Sequence, residues 1–178
     1  MQQKYVAFLR GINLGKRNIK MDDLRQVFTE LKFSDAQTVI ASGNVIFSAS
    51  VEPDAKELQA ALKQKFGFEV GVVIRSIKHL QSLIDLQPFA KYPDSKDTKL
   101  YVTFSSQDIG SALSSVSSIP GDFDLVKIEN QEFFCAAFRQ ENGRFGAGMD
   151  GLEKLFKHQV ITTRNWNTVK RILVKANG

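Results

Sequence analysis

Apolar residues in the first half of the chain follow two patterns: short continuous runs and repeats at helical spacing. Continuous runs predict buried strands at residues 5–9, 38–41, 45–48 and 70–74. Helical repeats predict amphipathic helices over residues 21–32, 53–66 and 76–86. The resulting order, βαββαβ with a trailing helix, is that of a ferredoxin-like fold, in which two helices cover one face of an antiparallel sheet.

The second half repeats this order of elements. Strands are predicted at residues 99–104, 124–128, 132–138 and 160–163. Helices are predicted at residues 107–117, 149–158 and 165–175, the first of them weak because it is rich in serine. We therefore predict an α+β protein of two ferredoxin-like halves, with antiparallel sheets and helices packed on one face of each.

The last strand of each half ends in a similar junction. Arg75-Ser76 in the first half and Arg164-Asn165 in the second each place an arginine and a capping residue before an apolar helix. This likeness indicates a duplication. We predict an N-terminal half at residues 1–88 and a linker, polar and bearing two prolines, at 89–98. A C-terminal half with the final helix follows at 99–178.

Composition excludes several kinds of site. The chain has 178 residues, of which 43% are hydrophobic, enough for a core. Cys135 lies in an apolar run, which indicates a buried core residue rather than a reactive thiolate. Two histidines without partners at metal-ligand spacing predict no metal site, and we expect no cofactor. We see no secretory signal and no run near the roughly 18 apolar residues of a membrane span, so we expect a cytoplasmic protein.

Charge is divided unevenly along the chain. Residues 1–20 contain five basic residues and no acidic one, and residues 151–178 contain six basic residues against one acidic. The middle of the chain has 13 basic and 18 acidic residues. If the fold brings the two ends together, they form a positive surface for an anionic partner. The alternative is a set of scattered, solvated lysines, some of them favoured near the end of a helix.

A polar segment at residues 162–168 is the strongest candidate for a binding site. Asn165 is a good N-cap, and the start of a helix exposes free N–H groups and a partial positive charge. Arg164 adds a planar fork suited to carboxylate or phosphate, while Thr163 and Asn167 add short polar groups. Capping, core packing and an internal ion pair would explain the same residues without a ligand.

Two further stretches have a similar character. The loop after the first strand contains Arg10, Asn13 and Lys16 among glycines, but its spacing is not that of a phosphate-binding loop. Ser42 and Asn44 flank a glycine between two strands, which is typical of a turn. We predict that all these polar residues contribute to one ligand site.

These stretches together resemble the bacterial family called domain of unknown function 1697. The resemblance is carried by residues 9–13 (LRGIN), 42–47 (SGNVIF) and 162–168 (TTRNWNT), in the same order and over the whole chain. It implies a cytoplasmic bacterial protein of two related α+β halves, without a known activity. The chain departs from the family near residues 143–148, where Ala147 stands close to an expected serine.

Three functions follow as hypotheses. The first is a binding protein or an enzyme whose ligand is a small anionic or phosphorylated molecule held in a basic cleft between the two halves. The second is a nucleic-acid-binding module, although the third strand offers only Phe47 for stacking on a base. The third is a scaffold in which Arg164 and Asn165 are purely structural. The sequence specifies neither a reaction nor an oligomeric state.

Overall fold

The computed structural model of the protein describes residues 1–12, 19–40, 43–114, 116–156 and 158–178. Its contacts divide the chain into two compact units. The first unit contains residues 1–82 and 170–178, and the second contains residues 83–169. In the described parts of the chain, no helix is both long and apolar enough to cross a lipid bilayer.

The first unit is built on a four-stranded antiparallel sheet. Its elements are β1 (Gln3–Arg10), α1 (Met21–Glu30), β2 (Ser34–Thr38), β3 (Asn44–Ala49), α2 (Ala55–Phe66) and β4 (Gly71–Ser76). The strand order is β2-β3-β1-β4, so β1 lies in the middle and pairs with β3 and β4. The helix α3 (Ile77–Asp85) follows β4 directly. This order confirms the ferredoxin-like prediction.

Helices α1 and α2 pack on one face of this sheet. Alternate residues of β1, among them Ala7 and Leu9, meet Phe28 of α1 and Leu62 of α2 in a single apolar cluster. The sequence determines where α2 begins. Asp54 caps it, because its side-chain oxygen accepts a hydrogen bond from the Lys56 amide. The predicted strands and helices of this unit are confirmed, with one exception.

The exception is β2, which was predicted at residues 38–41 but lies at Ser34–Thr38. Its residues are mostly polar because it is an edge strand, so it lacks the apolar run that marks a buried strand. Val39 is apolar and buried, yet it belongs to the connection that follows. Ile40 has a φ of 51°, which takes the chain out of the strand.

The second unit has the same architecture. Its elements are β5 (Thr98–Ser105), α4 (Gly110–Leu113), β6 (Phe123–Glu129), β7 (Glu132–Phe138), α5 (Met149–Glu153), a 3-10 turn (Lys154–Phe156) and β8 (Ile161–Asn165). The order β6-β7-β5-β8 matches that of the first sheet, with β5 in the middle. The final helix α6 (Trp166–Asn177) begins in this unit and ends in the first.

Two helices of the second unit are shorter than predicted. The helix expected at 107–117 is a single turn, Gly110–Leu113. Serine hydroxyl groups compete with the helical N–H groups for the backbone carbonyls. Ser114 donates to the Ser111 carbonyl at 2.7 Å, for example. The helix expected at 149–158 gives way to the 3-10 turn after five residues. Cys135 is fully buried in the core of this unit, and burial raises its pKa to about 12, as expected of a structural cysteine.

The predicted linker at residues 89–98 is packed against the second unit. The Phe89 ring is buried and stands edge-on to Phe134 and Trp166, at centroid distances of 5.8 and 5.4 Å. The Tyr92 hydroxyl donates to the Asp124 carboxylate at 3.0 Å, and this hydrogen bond raises the pKa of Tyr92. The compact unit therefore starts at residue 83, ahead of the predicted linker, and leaves residues 170–178 to the first unit.

Both units end in the same junction, which supports the duplication. Arg75 pairs with Val6 in β1, and Arg164 pairs with Val102 in β5. Each arginine donates to the carbonyl of the residue before it, at 2.9 Å. The next residue then caps the helix: Ser76 accepts from the His79 amide, and Asn165 accepts from the Asn167 amide.

We predict that Phe89→Ala destabilises the protein. Removing a buried phenylalanine ring costs about 3 kcal/mol through lost transfer energy and the cavity left behind. The measurement is urea-induced unfolding, with Lys91→Ala as the control because Lys91 is exposed in the same segment. If Phe89→Ala unfolds at the same urea concentration as Lys91→Ala, the segment is a free linker and our description of it is wrong.

Candidate functional site

Two of the three predicted stretches meet at one end of the first sheet. The Leu9 amide donates to the Gly43 carbonyl at 2.7 Å, and Phe8 pairs with Asn44 across β1 and β3. Gly43 has a φ of 94°, a conformation that favours glycine. Arg10 is exposed at the end of β1. The structure thus brings Arg10 and Asn44 to the same end of the same sheet.

Asn44 has a structural task at this position. Its side chain is only 4% exposed and donates to the Val39 carbonyl at 3.1 Å. Its backbone carbonyl also accepts from the Val39 amide at 2.9 Å. Asn44 therefore bonds Val39, the residue that follows β2, to the start of β3, and it belongs to that strand rather than to a turn. The other predicted residues of this region, Asn13, Lys16 and Ser42, lie outside the described residues, and their role stays a prediction.

The third stretch is divided between the two faces of the second sheet. Neighbouring residues of a strand point to opposite faces, so Arg164 lies on one face while Thr163 and Asn165 lie on the other. The Arg164 guanidinium donates to the Thr162 hydroxyl at 2.7 Å and to the Thr163 carbonyl. Burial lowers the pKa of Arg164 to about 10, so it remains a cation at neutral pH.

The remaining polar groups of this stretch are also held by the protein. Asn165 accepts from the Asn167 amide at 2.9 Å, which confirms the predicted cap. The Asn167 side chain donates to the Asp94 carboxylate, and Lys99 lies 3.6 Å from that same carboxylate. Thr163 shares a hydrogen bond of 2.7 Å with Thr103. That these residues share one cleft with Arg10 and Asn44 stays a prediction.

A basic groove of about 500 Å³ lies on the first unit, at the other end of β1. It is lined by Lys4, Asp35, Gln37, Ile46, Ser48, Lys175, Ala176 and Gly178. Among these described residues, two are basic and one is acidic. Lys4 comes from the N-terminal strand and Lys175 from the last helix, so the fold brings together one lysine from each basic end of the chain.

Two hydrogen bonds fix the lysines of the groove. The Lys4 ammonium donates to the Ala176 carbonyl at 2.5 Å, and the Lys175 ammonium donates to the Thr38 carbonyl at 3.3 Å. Lys4 stands opposite Ser48 in the β1–β3 register. Each ammonium has three donors, so each keeps hydrogens for a further acceptor.

None of the residues that line the groove belongs to a recognisable sequence motif, so the motifs did not indicate this surface. Arg10 lies six residues from Lys4 along β1, which is about 20 Å in an extended strand. The groove is therefore separate from the Arg10 and Asn44 end of the sheet. Asp35 reaches it from an irregularity in β2, where its φ of 55° interrupts the pairing with β3. The uneven charge of the sequence was the one signal that pointed to this surface.

The glycine-rich segment at residues 143–148 binds a side chain of the protein itself. The Asp122 carboxylate accepts from the Ala147 and Gly148 amides at 2.9 and 2.6 Å. A Cβ atom on Gly148 would lie 2.6 Å from that carboxylate, so glycine permits the approach. At the point where the chain departs from the family pattern, an internal carboxylate therefore occupies the backbone amides.

Comparison with known proteins confirms the resemblance found in the motifs. The family described as "Protein of unknown function (DUF1697)" matches residues 1–134, and the chain belongs to this family. No curated protein matches the chain.

Two solved structures are similar to the chain. The conserved bacterial protein SP0830 from Streptococcus pneumoniae is 23% identical, covers 100% of both chains and has a TM-score of 0.80. An unknown protein from Galdieria sulphuraria is 14% identical over 93% of this chain and 99% of its own, with a TM-score of 0.28. The likeness to the Streptococcus protein shows the fold and no function.

We predict that Arg164→Ala lowers the free energy of unfolding by about 2 kcal/mol, because it leaves buried acceptors without their donor. Urea-induced unfolding measures this change. Arg144→Ala is the control, since Arg144 is an exposed arginine in the same unit. If the two variants are equally stable, Arg164 is not structural, and the hypothesis that it serves a ligand gains support.

Proposed function

We propose that this member of the DUF1697 family binds a small anionic or phosphorylated molecule in the basic groove of its first unit. The observation that carries the proposal is that Lys4 and Lys175, from opposite ends of the sequence, line one groove. Two ammonium groups in one concave surface attract an anion and supply charged hydrogen bonds to it.

The other lining groups suit the polar remainder of such a ligand. Ser48 offers a hydroxyl on the floor of the groove, and Gln37 an amide on β2. Ile46 is an apolar patch between them. A volume of about 500 Å³ is within the range of small-molecule sites, which begins at roughly 300 Å³. A sugar phosphate or a nucleoside monophosphate matches this combination of charge, hydroxyl groups and size.

The Asp35 carboxylate sets a limit on the ligand. It lines the same groove and is exposed. Because it repels negative charge, we expect a ligand with one anionic group near the lysines and neutral hydroxyls near Asp35. An extended polyanion fits this arrangement less well than a monophosphate.

A specific observation also supports a purely structural hypothesis, in which Lys4 and Lys175 serve only to satisfy backbone carbonyl groups. Lys4 and Lys175 both donate to backbone carbonyls, and cations are favoured near the end of a helix. Under this hypothesis, replacing Lys4 lowers stability and no anion has an effect. Under our proposal, the same change weakens anion binding more than it affects folding.

The burial of Phe47 weakens the nucleic-acid alternative, because Phe47 was the residue expected to stack on a base. Phe47 is fully buried, and its ring packs against Phe28 and Phe33 at centroid distances of 5.2 and 4.7 Å. A typical RNA-binding sheet presents exposed aromatic rings to the bases, and the Phe47 ring is not available for this. The alternative then depends on charge alone and stays a prediction, for which strongly salt-dependent binding of RNA would be the evidence.

We predict that ribose 5-phosphate binds the wild-type protein and that ribose does not, as measured by isothermal titration calorimetry at low salt. Lys4→Gln and Lys175→Gln are each expected to weaken binding roughly five- to tenfold, since a charged hydrogen bond in a partly exposed site contributes on the order of 1 kcal/mol. The control is Lys56→Gln, an exposed lysine on α2 that does not line the groove.

Two results would contradict the proposal. One is the absence of binding by ribose 5-phosphate, inorganic phosphate and a nucleoside monophosphate at millimolar concentration. The other is equal binding by the Lys4, Lys175 and Lys56 variants. Thermal unfolding of each variant without ligand separates a loss of binding from a loss of folding.

A further inference from the structure

A second cavity, of about 210 Å³, lies wholly within the second unit. It opens between the sheet face that carries β5 and β8 and the segment that leads into α5. Phe145 and Met149, from the segment that leads into α5, form an apolar wall. The opposite wall is the sheet, where the hydroxyl groups of Tyr101, Thr103 and Thr163 lie beside Phe133, the partner of Thr103 in β7. The basic groove shares no residue with it.

The polar wall is produced by strand register. Thr103 pairs with Thr163 across β5 and β8, and Tyr101 lies two residues earlier on the same face of β5. The two threonine hydroxyls are 2.7 Å apart, so one donates to the other and the accepting hydroxyl keeps its own hydrogen. Burial raises the pKa of Tyr101, which therefore remains a neutral phenol. This wall offers neutral hydroxyl groups that both donate and accept.

Among the described residues that line the cavity, Asp150 carries the one charge. It lies in the first turn of α5 and is exposed, so it is placed at the mouth. A carboxylate at the mouth repels anions and attracts cations. The rings of Phe133 and Phe145 supply apolar contact area beside it. This charge is opposite in sign to that of the basic groove.

The glycine at residue 146 allows the apolar wall to come close to the sheet. Gly146 has a φ of 56°, and a Cβ atom there would lie 2.8 Å from the Met149 sulfur and 2.9 Å from the Ala137 Cβ. A larger residue would push Met149 away from its position. The cavity is thus bounded by tight packing on this side and has a defined size.

We propose that this cavity binds a small protonated amine that carries an aromatic ring or an apolar group of similar size. The ammonium would lie between Asp150 and the hydroxyls of Tyr101 and Thr163, with the ring against Phe133 and Phe145. Benzene fills an apolar cavity of about 150 Å³ in another protein, so 210 Å³ admits one ring with a short side chain. The inference is independent of the proposed function, because it concerns another unit and a ligand of opposite charge.

Three probes of the same shape test the charge preference: benzylamine, benzyl alcohol and benzoate. Each is titrated into the full-length protein while backbone amide chemical shifts are recorded by NMR. We expect benzylamine to bind tightest and benzoate weakest, with the largest shifts at Tyr101, Thr103 and Thr163. Asp150→Asn should reduce the preference for benzylamine over benzyl alcohol roughly fivefold, the upper end for an exposed ion pair.

The matched control is Glu141→Gln, which removes the same charge from an exposed position of the second unit outside the cavity. It should keep the preference of the wild type. The proposal is overturned if benzoate binds as tightly as benzylamine, if Asp150→Asn leaves the preference unchanged, or if the shifts lie away from the cavity. Since Asp150 is exposed, its variant should fold, and the amide spectrum verifies this directly.

Discussion

One central strand in each unit organises the sheet through the register of its pairing with two neighbours. β1 is bonded to β3 and β4, and β5 to β7 and β8, so each sheet is assembled around its first strand. A shift of one residue would turn the apolar side chains of a central strand away from the helices that cover them. The same register places Lys4 opposite Ser48 and Thr103 opposite Thr163. Strand pairing therefore positions the sheet residues of both candidate ligand surfaces.

The two units share a fold and differ in the chemistry of their surfaces. Arg75 and Arg164 occupy equivalent places before a capped helix and make the same backbone hydrogen bond. A feature repeated in both copies is explained by folding. What differs between the copies is a better guide to binding: a groove with two lysines in the first unit, and a cavity with hydroxyls and an aspartate in the second.

The sequence was informative wherever hydrophobic periodicity is strong. The buried strand β1 and the amphipathic helix α1 were predicted well because each has a clear pattern of apolar residues. The edge strand β2 was misplaced because its polar residues have no such pattern, whereas the apolar Val39 lies just beyond it. In the predicted linker, prolines and polar residues conceal the buried anchor Phe89, whose ring partner Phe134 is distant in sequence.

The predicted ligand site stays a prediction, and the geometry of its residues was foreseeable only where it is local. Strand alternation alone would have shown that Arg164 and Thr163 face opposite sides of a sheet, so a single cluster containing both was unsupported. The cap at Asn165 was foreseeable because capping is local. Lys4 and Lys175 meet only through the tertiary fold, and the uneven charge of the sequence indicated a basic surface without its position. Tyr101 and Asp150 belong to no motif, so only the structure reveals their cavity.

The anion site that we propose in the first unit joins Lys4 and Lys175, one lysine from each basic end of the chain. An NMR titration of the wild-type protein with ribose 5-phosphate tests it most directly, because it locates the ligand without any substitution. We expect the largest chemical-shift changes at Gln37, Ser48 and Lys175. Changes centred on Arg10, Gly43 and Asn44, at the other end of the sheet, would contradict this proposal and place the anion at the motif residues instead.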